Sequence, residues 1–265
     1  MTRIGFVGAG RMGAPMIERL VAGGHEVRAL GRSPERLAEL SDTGAHGCAT
    51  IAEVADADAV FVCVFTDDQV REVCLDGPLL EHMRAGATLL LHTTGSPSTA
   101  EAVAERAAAR GVAVLDAPVS GGPHDIAAGT LTLFVGGDAE ALDRVESALA
   151  SYANPILHVG ALGNGQRVKL INNALFAAQI GLVAEAVRLG DQLGVPESAL
   201  LQALPHASGA SRALSGVAAR GSVAAFAAAV SGFVSKDVTV VRKVAAELGG
   251  DLGVLDDAID AAQQA

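Results

Sequence analysis

The run Ile4-Gly-Phe-Val7, followed at once by Gly8-Ala9-Gly10-Arg11-Met12-Gly13, restricts this chain's fold more than any other stretch. It sets a short apolar β-type segment against a G-x-G-x-x-G turn, and residues 12–22 then carry helical periodicity. In that context each glycine has a task. Gly8 permits the tight turn, Gly10 lets the backbone approach a pyrophosphate, and Gly13 lets helix and strand pack closely, with the helix N-terminus facing the anion. Arg11 and Met12 lie between the glycines and are candidates to touch the same ligand. The implied unit is a βαβ fold that binds a dinucleotide.

The remaining pattern extends that unit. Strand-like runs at residues 27–30, 59–64, 88–91 and 112–115 alternate with helical runs at 34–40 and 97–110. Residues 59–64 and 88–91 are almost continuously apolar, as expected of strands covered on both faces. A further strand is predicted at 131–135, and Asp138 is placed to N-cap a helix running toward residue 150. Beyond Gly165 the strand signal ends, and helices are predicted at 166–193, 197–204, 210–219, 234–248 and 252–262. The fold class is therefore α/β: an N-terminal Rossmann-type, doubly wound parallel sheet, then an all-α domain with one long interdomain helix. The two domains are placed at residues 1–162 and 163–265.

Composition narrows the partners. A net charge of −11 and 3% aromatic residues argue against nucleic acid, which calls for basic fields and stacking surfaces. Cys48, Cys63 and Cys74 are odd in number and lack metal-ligand spacing, so reduced thiols, no metal and a cytoplasmic location are expected. No charged leader precedes the first strand, and the apolar run at 224–230 is broken by Ser231 and Gly232, so no membrane partner is expected.

The second strand ends in Gly31-Arg32-Ser33, where NAD sites usually carry an acid for the ribose 2′-hydroxyl. A guanidinium and a hydroxyl suit a 2′-phosphate, so NADP is favoured and NAD remains possible. Val64, Phe65 and Thr66 end the strand at 59–64 and Thr94 follows the one at 88–91; strand-tip positions of this kind suit contact with the cofactor's ribose and nicotinamide.

Four separated segments complete a signature: Gly8 to Met16; Asp116-Ala-Pro-Val-Ser-Gly-Gly122 with Ala128-Gly-Thr-Leu-Thr-Leu-Phe-Val-Gly-Gly137; Gly163-Asn-Gly-Gln-Arg-Val-Lys-Leu-Ile-Asn-Asn173; and Lys236-Asp237. In this order and spacing the chain resembles the β-hydroxyacid dehydrogenase family along nearly its whole length. The resemblance implies a small carboxylate-bearing substrate, a short β-hydroxy acid or its semialdehyde. Ser120, Gly121 and Gly122 would hold its carboxylate, a task that suits converging backbone amides and one hydroxyl. Lys169 would be the general acid and base, and Asn173, one helical turn further, would orient it or the substrate; Asn172 is a weaker candidate. Lys236 would reach the cofactor, and the helical domain would assemble a homodimer or homotetramer.

The match departs in two places. Pro123-His124-Asp125 stands where relatives carry small residues, and an acid there could narrow the carboxylate pocket, repel a dicarboxylate or point to solvent. His92-Thr93-Thr94 begins with a histidine where the family commonly has an acid. Two other readings use the same scaffold: an imine reductase, whose members commonly differ at the lysine position, and a dinucleotide-binding protein without turnover.

Overall fold

The computed structural model describes residues 1–261 as two compact units, Met1–Lys169 and Leu170–Ala265, the latter described as far as residue 261. The first unit opens with β1 (Arg3–Val7), α1 (Gly13–Ala22), β2 (Glu26–Leu30), α2 (Pro34–Asp42), β3 (His46–Cys48) and α3 (Ile51–Ala55). It continues with β4 (Ala59–Val62), α4 (Asp67–Arg71), α5 (Leu79–His82), β5 (Thr88–Leu91), α6 (Pro97–Ala108) and β6 (Ala113–Asp116). These six strands form one parallel sheet in the order β3-β2-β1-β4-β5-β6. The order reverses between β1 and β4, and ligands of such sheets bind at the strand tips beside the reversal.

The side-chain period of two explains why the central strands read as unbroken apolar runs. Phe6, Phe61, Leu90 and Leu115 stand in register and pack into one core layer, while Val60, Val62, Leu89, Leu91 and Val114 pack into the layer on the other face. Both layers are covered by helices, so neither set of positions tolerates polarity.

A smaller sheet follows, of β7 (Val119–Ser120), β8 (Leu131–Val135) and β9 (Ala153–His158), with α7 (Pro123–Ala128) and α8 (Ala139–Leu149) between the strands. The strand expected at 131–135 thus lies outside the main sheet, pairing antiparallel with β7 and parallel with β9. Asp138 caps α8 as expected, its Oδ1 accepting Ala141 N–H at 2.9 Å. Residues 123–125 form the first turn of α7.

The long helix α9 (Asn164–Gln192) begins in the first unit, and the two units divide within it, between Lys169 and Leu170. The sequence reading set the division earlier, at residue 162; the first turn stays with the first unit because it hangs from β6, as shown below. The second unit adds α10 (Glu197–Ala203), α11 (Arg212–Arg220), α12 (Val223–Glu247) and α13 (Val254–Ala261). Residue 262, the expected end of the last helix, lies outside the described residues. Ile180, Val183, Leu214, Val217 and Phe226 form the largest apolar seam of this unit.

The helix α12 corrects the reading of 224–230 as a short, broken run. Ser222 Oγ accepts Ala225 N–H at 3.1 Å and starts the helix there, and Ser231-Gly232 passes through as helix. An interior glycine costs only about 1 kcal/mol, which continuous packing overrides. By length and composition α9 and α12 are each long and apolar enough to cross a membrane, a test that the core helices of soluble proteins also pass.

Candidate active site

At the β1–α1 turn the three glycines differ in what surrounds them. A Cβ on Gly8, whose φ is +104°, would stand 2.2 Å from the Cys63 carbonyl oxygen, and one on Gly13 would stand 2.1 Å from that of Gly8. Those two glycines are demanded by the fold. A Cβ on Gly10 would meet nothing within 4 Å, so its absence leaves an approach to the backbone open. Met12 does not cap α1 with its side chain, and no acid stands in the helix's first turn. The positive end of α1 is therefore available to an anion, and the turn fits a dinucleotide pyrophosphate. Arg11 is exposed and Met12 half-buried on this turn.

At the tip of β2, Arg32 is exposed, while Ser33 Oγ accepts Arg36 N–H at 3.3 Å and caps α2. Glu35, in the first turn of α2, is hydrogen-bonded by the Ser33 hydroxyl, which holds its carboxyl below the usual range. The sequence reading looked for an acid only at the strand tip and missed this one. At the tip of β4, Val64 N–H donates to Thr93 Oγ1 at 3.0 Å and the Thr93 hydroxyl donates to Val64 O at 3.0 Å, tying β4 to the loop after β5. Phe65 projects outward at 66% exposure, and its N–H donates to Gln69 Oε1. Thr66 caps α4, and Thr94 is half-buried beyond Thr93.

Two residues named only as motif letters hold the start of α9. Asp116, fully buried at the end of β6, accepts Gly163 N–H through Oδ1 and Gln166 N–H through Oδ2, both at 2.7 Å. Gln166, also buried, returns the tie to the β5 loop: its Oε1 accepts Gly95 N–H at 2.9 Å and its Nε2 donates to Thr93 O at 2.8 Å. Burial pushes the Asp116 carboxyl up to about 6 against the pull of those amides. Close approach is enforced at Gly165, where a Cβ would lie 2.5 Å from Phe134 O and 2.6 Å from Asp116 O. The first turn that leads to Lys169 is thus fixed to two strand tips. Lys169 itself is half-buried, three residues beyond Gln166.

His92 is a structural residue of the same layer. Its Nδ1 lies 2.7 Å from Ala117 O, which can only accept, so Nδ1 carries the proton and Nε2 accepts from the Tyr152 hydroxyl at 2.8 Å. Burial holds its pKa down to about 4, so the ring is neutral at ordinary pH. Ser120 ends β7 opposite Thr132, and Gly121 turns the chain at φ +132°. The Gly122 N–H, expected to serve a substrate carboxylate, donates instead to Asp125 Oδ2 at 2.7 Å. His124 is 81% exposed beside that carboxylate.

In the second unit, Asn173 is buried and donates through Nδ2 to Asp237 Oδ2 at 2.9 Å, and Asn172 Nδ2 donates to Asn173 Oδ1 at 3.2 Å. Lys236 Nζ stands 3.9 Å from Asp237 Oδ1. Two motif segments 64 residues apart are thereby joined, with Asp237 as the link the sequence reading left without a role. Among the described residues no group of three His, Cys, Asp or Glu side chains is placed to hold a metal. Cys63 and Cys74 are poor nucleophiles, since burial pushes both thiols up to about 12.

Comparison with known proteins identifies the family of the chain. Residues 3–160 match the family described as the NAD-binding domain of 6-phosphogluconate dehydrogenase, and residues 163–265 match that described as NAD-binding of NADP-dependent 3-hydroxyisobutyrate dehydrogenase. The chain is 37% identical over 216 residues to 3-hydroxyisobutyrate dehydrogenase of Pseudomonas aeruginosa, covering 81% of this chain and 72% of the relative. An NAD-dependent L-serine dehydrogenase of the same organism is 36% identical over 216 residues, with the same coverage. A solved structure of 3-hydroxyisobutyrate dehydrogenase from Mycobacterium tuberculosis with L-serine superposes with a TM-score of 0.88 at 31% identity, covering 100% of this chain and 93% of that one.

Proposed function

This chain belongs to the β-hydroxyacid dehydrogenase family, as an oxidoreductase acting on CH–OH with a nicotinamide dinucleotide cofactor, and from that premise we propose that it is an NADP(H)-dependent dehydrogenase of a short β-hydroxy acid or its semialdehyde, with Lys169 as general acid and base. One observation carries the reading: the start of α9 is held by Asp116 and Gln166 at 2.7–2.9 Å, and Lys169 follows on the next turn. A side chain that must meet a developing charge within hydrogen-bond reach needs such a fixed base.

The bound nicotinamide supplies or takes up the hydride. In reduction, Lys169 Nζ donates a proton to the carbonyl oxygen as negative charge grows there; in oxidation it takes the hydroxyl proton. Asn173, held by Asp237, positions that lysine or the substrate. Gly8, Gly10, Arg11, Met12 and Gly13 receive the pyrophosphate, and Val64, Phe65 and Thr94 border the rest of the cofactor. Arg32, exposed at the β2 tip, supports the 2′-phosphate, while Glu35 is turned onto Ser33. Ser120 and Gly121 receive the substrate. The unpaired thiols support a reducing, cytoplasmic setting.

The test is oxidation of 3-hydroxyisobutyrate, L-serine and 3-hydroxypropionate, and reduction of their semialdehydes, with each cofactor. NADPH and NADP should be preferred, and Lys169→Ala should lower kcat by about 10²- to 10⁴-fold with dinucleotide affinity retained. Turnover unchanged in that variant would remove Lys169 from the chemistry, and a preference for NADH would remove the role of Arg32.

A further inference from the structure

The segment Thr93-Thr94-Gly95, which follows β5 and carries the cofactor candidate Thr94, is bracketed by one side chain. The Gln166 amide donates through Nε2 to Thr93 O at 2.8 Å and accepts Gly95 N–H through Oε1 at 2.9 Å, one bond on each side of Thr94. A carbonyl oxygen can only accept and an N–H can only donate, so the segment demands one donor and one acceptor in this order, which a primary amide supplies. The segment is also held from elsewhere, by Thr93 on Val64 and by Asp67, whose Oδ1 accepts Ser96 N–H at 3.1 Å and whose Oδ2 accepts the Thr99 hydroxyl at 2.6 Å.

Gln166 belongs at the same time to the start of α9. Its own N–H is taken by Asp116, and Lys169, three residues further, shares its face of the helix. Asp116 fastens the helix to β6 and Asp67 fastens the segment to α4; Gln166, 2% exposed, joins segment and helix to each other. Resting on the hydroxy-acid reading above, we infer that Gln166 is a positioning residue for hydride transfer. By tying the Thr94 segment to the turn that leads to Lys169, it sets the spacing between the nicotinamide contact and the proton donor. It therefore acts on turnover and not on cofactor affinity, which the β1–α1 turn and Arg32 supply. A misplacement of about 1 Å at such a spacing costs on the order of 10²-fold in rate.

Two variants test this by NADPH-dependent reduction of the semialdehydes named above, with turnover counted per NADPH-binding site so that an unfolded fraction does not register. Gln166→Leu removes both side-chain hydrogen bonds; kcat should fall about 10²-fold, with the NADPH dissociation constant within about threefold of wild type. Gln166→Glu keeps the shape and makes the missing donor depend on pH. An ionised carboxylate has no proton for Thr93 O, whereas a protonated carboxyl offers the same donor and acceptor as the amide. Burial and the neighbouring acids Asp116 and Asp67 hold the introduced carboxyl protonated above its ordinary range. Its kcat should thus approach wild type at the acid end and fall at least about tenfold behind it as pH rises. The charged groups around this position are Asp116 on β6, Asp67 and Arg71 on α4, and Arg167 and Lys169 on α9, with Glu101 of α6 paired to Arg167. Wild type and variant share them all, so the ratio of their rates at each pH reports the introduced carboxyl. A kcat within twofold of wild type in Gln166→Leu would overturn the inference, as would a loss expressed only in NADPH affinity or a Gln166→Glu ratio that stays flat with pH. If Gln166→Leu does not fold, the pH trend of Gln166→Glu decides alone. A wild-type protein inactive on every hydroxy acid and semialdehyde overturns the hydroxy-acid reading and this inference with it; an active protein indifferent to both substitutions overturns this inference alone.

Discussion

His92 and Asp116 sit side by side at the ends of β5 and β6, where Leu91 pairs with Asp116, and burial drives their ionisation in opposite senses. The folded protein holds His92 at about 4 against an ordinary 6.5, so it binds fewer protons than the unfolded chain; this contribution is complete above pH 6.5 and is lost as pH falls toward 4. Asp116 is held at about 6 against 3.8, so here the folded protein keeps the proton; this contribution is complete below pH 3.8 and is lost as pH rises through 6. Each is on the order of 3 kcal/mol, and between pH 4 and 6 the two slopes oppose. Thermal melts across that range should therefore be flatter for the wild-type protein than for either variant. His92→Gln should lose stability as pH rises, and Asp116→Asn should lose it as pH falls; slopes of the same sign in both variants would contradict the burial argument. His92 also shows what a sequence hides. Its partners, Ala117 and Tyr152, lie 25 and 60 residues away, and no local pattern names them.

Between elements, the β1–α1 junction separates what the fold needs from what the ligand needs. Gly13 allows α1 to press against β1, with Gly8 O and the Phe6 ring at 2.1 and 2.9 Å from where a Cβ would be, so Gly13→Ala should cost about 3 kcal/mol or more. Gly10 has open space, so Gly10→Ala should melt with the wild-type protein yet bind NADPH at least about tenfold more weakly. Calorimetry with a fluorescence titration checks both, and a Gly10→Ala protein that binds normally would mean the turn does not receive the pyrophosphate. The helices follow the same logic of caps and contacts. Asp138 was legible as a cap because its acceptor and the amide it serves lie three residues apart. The true start of α12 at Val223 was not, since Ser222 looked like one small residue among many and the Ser231-Gly232 pair looked like a stop.

For the molecule as a whole, the second unit leaves one face of α9 bare. Ile171, Leu175, Leu182 and Leu189 are between 47% and 66% exposed, and their spacing by fours and sevens puts them in one stripe, opposite the buried Ala177, Ile180 and Ala184. That stripe supports the proposed self-association through the helical unit. Leu182→Glu combined with Leu189→Glu should give a monomer by light scattering at micromolar concentration, with the unfolding free energy of the chain within about 1 kcal/mol of wild type once association is accounted for. A wild-type protein that is already monomeric at that concentration would reject the proposal.

The sequence by itself determined what depends on residues near one another along the chain: the glycine turn after β1, the buried parallel strands, the cap of α8 and the long helix bearing Lys169. These are set by backbone sterics and by periods of two and 3.6, which a short window contains. Only the tertiary structure decided which hydrogen-bonding groups are already engaged. Asp116 meets the amide of Gln166 across 50 residues, Asn173 meets Asp237 across 64, and the Gly122 amide is taken by Asp125. Partnerships of this kind follow from burial, which obliges each polar group to find whichever complement the folded chain brings within about 3 Å.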